Sequence, residues 1–257
     1  MPSFGEKHAS LYDSFYADKP YEEEAAFVRD CLEEVGINPP ARLLELACGT
    51  GRHAVIFERL GFEVTGVDSS SNMLDCARAR CEAAGSKVSL YHQDIGDLNL
   101  PGPPADAATC LFDSLGYLQT NEAIGGALLA IGRHLRIGGV IVLEFWHAPA
   151  MLRCYDPVRV RRLVTADREV IRISETTLEP IRDLAHVAYD ILEIQNGELV
   201  SRIRETQTNR YFLVQEVEVL LREAGFEPLR HCNGFSNTTA IGLDTWHVVT
   251  IARRSSQ

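Results

Sequence analysis

Gly49, Gly51 and Ala54 stand in the spacing G-x-G-x-x-A, and Asp68 follows Gly49 by 19 residues. Glycines in that order let a loop turn tightly into the start of a helix whose free N–H groups meet a ligand. An acid about 20 residues further on, at the end of the next strand, is placed to hold ribose hydroxyls. That pattern alone admits a dinucleotide. Glu45, just ahead of the glycines, changes the chemistry. A carboxylate there repels a pyrophosphate seated on the helix N-terminus and suits a ligand with positive charge near the loop. S-adenosylmethionine, which carries a sulfonium and an α-ammonium, is such a ligand, so the electrostatics favour it over NAD.

Holding those residues requires a strand before the loop and a helix after it. Residues 42–46 form a short apolar run that breaks into the glycines, and residues 53–60 resume a helical pattern. Upstream, 21–36 reads as an amphipathic helix with Glu22, Glu23 and Glu24 in its first turn and Gly36 at its end. Downstream, strands at 62–67, 88–92, 107–112 and 140–146 alternate with helices at 71–84 and 121–135, and Gly138-Gly139 precedes the last of these strands. Strands separated by helix-length segments imply a parallel sheet covered on both faces. After Pro149 the texture changes to β-favouring runs over 158–212, with a hairpin signal at Asn196-Gly197 and alternation through Val187, Tyr189, Ile191 and Glu193. A helix at 214–224 and strands at 226–232 and 245–252 return to the main sheet. The expected fold class is α/β, a Rossmann-like, doubly wound, mostly parallel seven-stranded sheet with an antiparallel β insertion after the fifth strand. Residues 1–150 and 213–257 would form the cofactor-binding domain with an N-terminal helical cap, and 151–212 an acceptor cap or a dimer interface.

The run Leu44-Glu-Leu-Ala-Cys-Gly-Thr-Gly51 resembles the first motif of class I S-adenosylmethionine-dependent methyltransferases, E/D-x-G-x-G-x-G, with Ala47 in place of the first glycine. Val64-Thr-Gly-Val-Asp-Ser-Ser70 resembles the second-strand motif, whose acid holds the ribose, and Gln93-Asp-Ile95 the segment after the third strand. A closer resemblance is to the small-molecule N-methyltransferases, including nucleotide-sugar N,N-dimethyltransferases and, more distantly, glycine N-methyltransferases. It is carried by Leu11-Tyr-Asp-Ser-Phe-Tyr16 with Tyr21, by Phe112-Asp-Ser-Leu-Gly-Tyr-Leu118 and by Leu143-Glu-Phe-Trp-His-Ala-Pro149. The resemblance implies that S-adenosylmethionine binds and leaves as S-adenosylhomocysteine. It places Glu45, Ala47, Cys48, Gly49, Gly51, Asp68, Ser69, Met73, Leu111 and Phe112 around the cofactor. Asp94 would meet the adenine amino group and the Ile95 backbone its ring edge. The N-terminal tyrosines Tyr12, Tyr16 and Tyr21 would close over the ligand, and Tyr117 would lie near the acceptor.

Methyl transfer from a sulfonium is an in-line displacement, so a protein mainly has to align donor and acceptor and exclude water. A phenol or carboxylate nearby can position an amine while its proton leaves to water or a base. Tyr12, Tyr117 and His147 are the catalytic candidates, all at the carboxyl edge of the sheet where open α/β folds bind ligands. The plainer roles are helix anchoring for Tyr12 and Tyr16, backbone hydrogen bonding for His147, loop capping for Glu45 and helix N-capping for Asp68. Arg153, Arg159, Arg161 and Arg162 would supply a cationic clamp for a diphosphate or else a solvated strand face.

Composition bounds the alternatives. With 25 Lys+Arg against 36 Asp+Glu the formal charge is -11, and no basic cluster is longer than two arginines, which disfavours nucleic acid as a partner. No stretch approaches the ~18 apolar residues of a membrane span, and no basic-then-apolar leader opens the sequence. The seven cysteines form no Cys-x-x-Cys pair and read as reduced packing residues, and with His53 and His92 they match no zinc spacing, so no metal is expected. The expectation is a cytoplasmic enzyme acting on a small-molecule acceptor, nitrogen before oxygen, with a homodimer through 158–212 left open. An NAD(P)-dependent oxidoreductase, which Glu45 opposes, and a non-catalytic cofactor-binding scaffold are the competing readings.

Overall fold

The computed structural model describes residues 6–165 and 168–255, with the side chains of 6–8 and 10 excepted. The chain opens with helices α1 (Glu6–Phe15) and α2 (Tyr21–Glu34). It then alternates β1 (Arg42–Leu46), α3 (Arg52–Arg59), β2 (Glu63–Asp68), α4 (Ser71–Ala84), β3 (Ser89–His92), β4 (Ala105–Cys110), α5 (Asn121–His134) and β5 (Leu135–Trp146). After α6 (Ala148–Cys154) come four strands, β6 (Val158–Val164), β7 (Arg168–Glu179), β8 (Leu184–Gln195) and β9 (Glu198–Arg210). The chain closes with α7 (Val214–Glu223), β10 (Phe226–Asn233) and β11 (His247–Arg254).

Seven strands form the main sheet in the order β10-β11-β5-β4-β1-β2-β3, and β11 runs antiparallel to both its neighbours. β1 pairs in parallel with β2 on one side and β4 on the other, so the chain reverses its direction of winding between β1 and β4. In such sheets the crevice beyond the carboxyl ends of those two strands takes the ligand. Ile124, Leu128 and Ile131 of α5 and Leu220 and Leu221 of α7 fill one face of the sheet. Val28 and Leu32 of α2 and Phe57 of α3 fill the other. At about 1.5–3 kcal/mol for each large apolar side chain fully buried, these two layers hold the sheet edge in place.

β6 to β9 form a separate antiparallel meander. The expected alternation holds on β8, where Val187 and Ile191 are buried, and Asn196 and Gly197 both take positive φ (52° and 81°) in the β8–β9 turn. Leu11 and Phe15 of α1 pack against Val170 and Ile191 of this sheet, so α1 lies between the insertion and the glycine loop. One boundary differs from expectation. β5 starts at Leu135 rather than at 140, running through Gly138 (φ 78°) and Gly139. Pro149 sits in the first turn of α6, where its missing N–H costs nothing. No helix among the described residues is long and apolar enough to cross a membrane.

Candidate active site

The loop after β1 turns on three left-handed residues, Ala47 (φ 52°), Gly49 (φ 57°) and Gly51 (φ 74°). Gly51 leaves little room for a side chain, because a Cβ there would sit 3.1 Å from Ala77 Cβ and would push that neighbour back by a few tenths of an ångström. A Cβ on Gly49 would meet no protein atom within 4 Å, and Gly49 lines a cleft between the loop, α1 and the end of β4. The Gly49 N–H donates to Asp68 Oδ2 at 2.8 Å, and the Ser70 N–H donates to Asp68 Oδ1 at 2.8 Å. The carboxylate that ends β2 therefore fixes the loop and still has lone pairs to offer the cleft.

The cleft is short of positive charge where it is deepest. Glu45 is 4% exposed, lines the cleft, and its Oε2 has no hydrogen-bond partner. Burial, reinforced by Asp68, pushes its carboxyl well above the ordinary range, and burial likewise raises Asp68. An unsatisfied buried carboxylate beside a second acid calls for a cationic ligand. Lys19 and Arg52 line the same cleft, but both are engaged: Lys19 pairs with the buried Glu24, and Arg52 stacks 4.3 Å from the Tyr21 ring and donates to the Tyr16 carbonyl.

Aromatic rings close the outer side. Tyr12 lies 4.7 Å from Tyr16 between ring centroids, and both rings meet Phe112 edge-on, at 6.4 and 5.0 Å. Phe112 and Asp113 take consecutive left-handed conformations (φ 60° and 55°), strain that persists only where the surroundings enforce it. The enforcement is visible. The Phe112 N–H donates to Glu144 Oε2 at 2.5 Å, the Trp146 N–H to Asp113 Oδ1 at 3.0 Å, and Asn209 Nδ2 to Asp113 Oδ2 at 3.0 Å. Burial raises the Asp113 carboxyl to about 8. Tyr117 donates its hydroxyl to Gln207 Oε1 at 3.1 Å, and burial holds that phenol neutral. Asn209 and Gln207 both belong to β9, so the insertion props the loop that carries Phe112, Asp113 and Tyr117.

Twelve of the sequence candidates line the cleft: Tyr12, Tyr21, Glu45, Ala47, Cys48, Gly49, Asp68, Ser69, Met73, Leu111, Phe112 and Tyr117. Gly51 shapes the loop from behind. Tyr16 lines a neighbouring vestibule with Trp146, Tyr189, Trp246, Arg159, Arg161 and Arg172. The Asp94 carboxylate accepts the Gly96 N–H at 2.8 Å and the Ile95 side chain is in the core, and neither residue lines the cleft. His147 is buried with Nδ1 3.1 Å from the Thr245 carbonyl, and it lines neither the cleft nor the vestibule. The histidine that reaches the vestibule is His247. Of the four arginines in the expected clamp, Arg159 and Arg161 face the vestibule, Arg153 pairs with Asp244 and Arg162 with Glu169 at the surface. Lys19, Arg172 and His247 were the residues missed. Each is an isolated basic residue in an unremarkable run of sequence, brought to the site only by chain topology.

Residues 43–139 match the model of the family described as Methyltransferase domain. The chain is 37% identical over 145 residues to a dTDP-3-amino-3,4,6-trideoxy-alpha-D-glucopyranose N,N-dimethyltransferase of Streptomyces venezuelae, covering 55% of this chain and 58% of that protein. It is 27% identical over 226 residues to a dTDP-4-amino-2,3,4,6-tetradeoxy-D-glucose N,N-dimethyltransferase of Saccharopolyspora spinosa, covering 85% of this chain and 84% of that protein. The structure is similar to that of an amino pentose methyltransferase from Micromonospora echinaspora, solved with S-adenosylmethionine bound, with a TM-score of 0.76, 26% identity and coverage of 95% and 97%.

Proposed function

We propose that this chain, an S-adenosylmethionine-dependent methyltransferase, moves the methyl group onto the amine of a small molecule, an amino sugar carried on a nucleoside diphosphate. The observation that carries the acceptor half is the vestibule. It adjoins the cofactor cleft across Phe112, which lines both, and it combines rings for stacking on a sugar or base with Arg159, Arg161 and Arg172 in a chain of net charge -11. Planar guanidiniums on a concave wall suit a diphosphate. Relatives of this chain act on dTDP-linked amino sugars, which fits the same chemistry.

The cofactor half fits the residues present. The Glu45 carboxylate would balance cationic charge on the ligand, Asp68 would accept from the ribose hydroxyls, and the open side of Gly49 would let the ligand approach the backbone. When bound, S-adenosylmethionine supplies a methyl group on a positively charged sulfur that departs as a neutral thioether. Tyr12 and Tyr117 would orient the acceptor nitrogen, Phe112 would separate donor from vestibule, and α1 would exclude water. The insertion serves as the acceptor cap, since β9 holds the β4 loop and β6 and β7 supply the arginines.

The test is incubation with S-adenosylmethionine and a panel of dTDP-linked 3-amino and 4-amino sugars and their hydroxyl counterparts, read by mass spectrometry. Methylation of the amines alone supports the proposal. Methylation of the hydroxyl sugars alone would make the protein an O-methyltransferase, and tight NAD binding without S-adenosylmethionine binding would remove the cofactor assignment as well.

A further inference from the structure

Glu144 on β5 lies opposite Val249 on β11, so His247, two residues earlier on β11, shares the face of Glu144 as its diagonal neighbour. His247 Nδ1 lies 2.8 Å from Glu144 Oε1, an ion-pair contact whose N–H points too far from the oxygen to count as a hydrogen bond until the ring turns slightly. Glu144 is 2% exposed, and its other oxygen accepts the Phe112 N–H. One buried carboxylate thus ties the imidazole to the residue that separates cofactor cleft from vestibule. With Nδ1 turned to Glu144, the other ring nitrogen, Nε2, is left for the vestibule that His247 lines.

Resting on the N-methylation reading above, we propose that His247, oriented by Glu144, is the base that takes the proton from the acceptor's ammonium group. The balance is simple. An acceptor N–H bond breaks, its electron pair stays on nitrogen as the lone pair that attacks the methyl carbon, and the proton forms an Nε2–H bond. The imidazolium then releases that proton to water through the vestibule. Glu144 is a positioning residue: an Nδ1–H donated to it leaves Nε2 as the lone-pair nitrogen.

The surroundings suit a base that works near neutrality. Burial opposes charge on His247, but the Glu144 carboxylate outweighs it and, with Asp113, lifts the pKa above 6.5 against the opposing charge of Lys19. From the α1–α2 segment Asp18 and Glu24 share a cavity with His247 and Lys19. From the insertion, Arg159, Arg161 and Arg172 share the vestibule with it, as does Asp156, and Arg162 faces the cavity beside it. Burial likewise opposes charge on Glu144, yet His247, Lys19 and the Phe112 N–H overcome it and keep that carboxyl below its ordinary range.

Two measurements test the assignment. Nitrogen-15 spectra of the imidazole, recorded on the full chain with and without S-adenosylhomocysteine, should show the neutral ring protonated at Nδ1, with its pKa lowered in Glu144→Gln. A neutral ring protonated at Nε2 overturns the proposal. In the methylation assay, kcat/KM of the wild type should rise with pH through the imidazole pKa and then level off, because the free amine needs no base. His247→Gln should be on the order of 100-fold slower near neutral pH, with cofactor affinity unchanged. Its rate should climb steadily towards the wild-type value as the amine deprotonates unaided. A variant profile that is only displaced downward, with unchanged shape, overturns the base assignment alone. A wild type that methylates no amine overturns the N-methylation reading and this proposal together.

Discussion

The hydroxyl of Thr50 donates a 2.7 Å hydrogen bond to the carboxylate of Asp13, fastening α1 to the glycine loop. Arg80 of α4 completes the clamp by pairing with Asp13 and donating to the Thr50 carbonyl at 2.9 Å. Asp13→Ala breaks both contacts. The pair is about one-third exposed (30% and 34%), so screening limits the loss; about 1 kcal/mol is expected. If α1 seals the cleft, the Kd for S-adenosylmethionine rises roughly fivefold and amide exchange in α1 of the bound protein quickens. An unchanged Kd with unchanged exchange would mean that α1 does not close on the ligand.

Glu45 poses a trade between stability and binding. The protons decide its sign. Below the ordinary carboxylate range both folded and unfolded chains are protonated and burial costs nothing. As pH rises the unfolded chain ionises while the folded one retains its proton, so stability is lost. Asp113 contributes the same way between its ordinary 3.8 and about 8. Ligand-free protein is therefore expected to melt at a lower temperature at pH 7.5 than at pH 5 on account of these two groups. Glu45→Gln removes one share, so the variant should melt above wild type at pH 7.5 and lose less between the two conditions. Its cofactor affinity should fall, by about 1–3 kcal/mol if a charged hydrogen bond is lost. A calorimetric scan and a titration check both halves, and a variant that binds as tightly as wild type would sink the role of Glu45.

Gly51 and Ala47 are both left-handed but should answer substitution unequally. Gly51→Ala meets a backbone penalty of about 1–2 kcal/mol and a Cβ contact at 3.1 Å with Ala77 on α4. A fall in Tm of roughly 4–8 °C is expected if the total is about 2 kcal/mol. Ala47→Gly relieves the folded state while loosening the unfolded one, and the two effects nearly cancel, to within about 1 kcal/mol. Thermal melts of the pair settle it; an equal loss in both would mean the loop conformation is not what these residues control.

The same contrast explains what was legible in the sequence. The glycine loop could be read because its φ angles demand particular residues, and Asp68 because α3 and β2, which carry the chain from the loop to it, span a fixed length. Gly138-Gly139 misled: two glycines in a row read as lying ahead of the strand. In fact β5 passes through them, and a Cβ on Gly139 would strike the Arg136 and Asp106 carbonyl oxygens at 2.8 and 3.0 Å. His147 carried the expected imidazole because it follows β5 directly, yet its ring is spent on the Thr245 carbonyl. His247 reaches the vestibule through the pairing of β11 with β5, a long-range register that no local pattern encodes. Lys19 and Arg172 were hidden for the same reason.

Tyr117 can be separated into a structural and a chemical part. Its hydroxyl donates to Gln207 Oε1, and Gln207 is 5% exposed, so Tyr117→Phe leaves a buried acceptor without its donor and should cost about 1–3 kcal/mol of stability. Because burial raises the phenol far above its ordinary pKa, it stays neutral over the working range and acts by hydrogen bonding rather than as a phenolate. Removing both partners, in Tyr117→Phe with Gln207→Leu, takes away the unsatisfied group and should recover most of the lost stability. If the phenol oxygen also accepts from the acceptor amine, the double variant stays slow, with a raised KM for the acceptor and an unchanged Kd for S-adenosylmethionine. Recovery of activity along with stability would instead confine Tyr117 to holding β9 against the β4 loop.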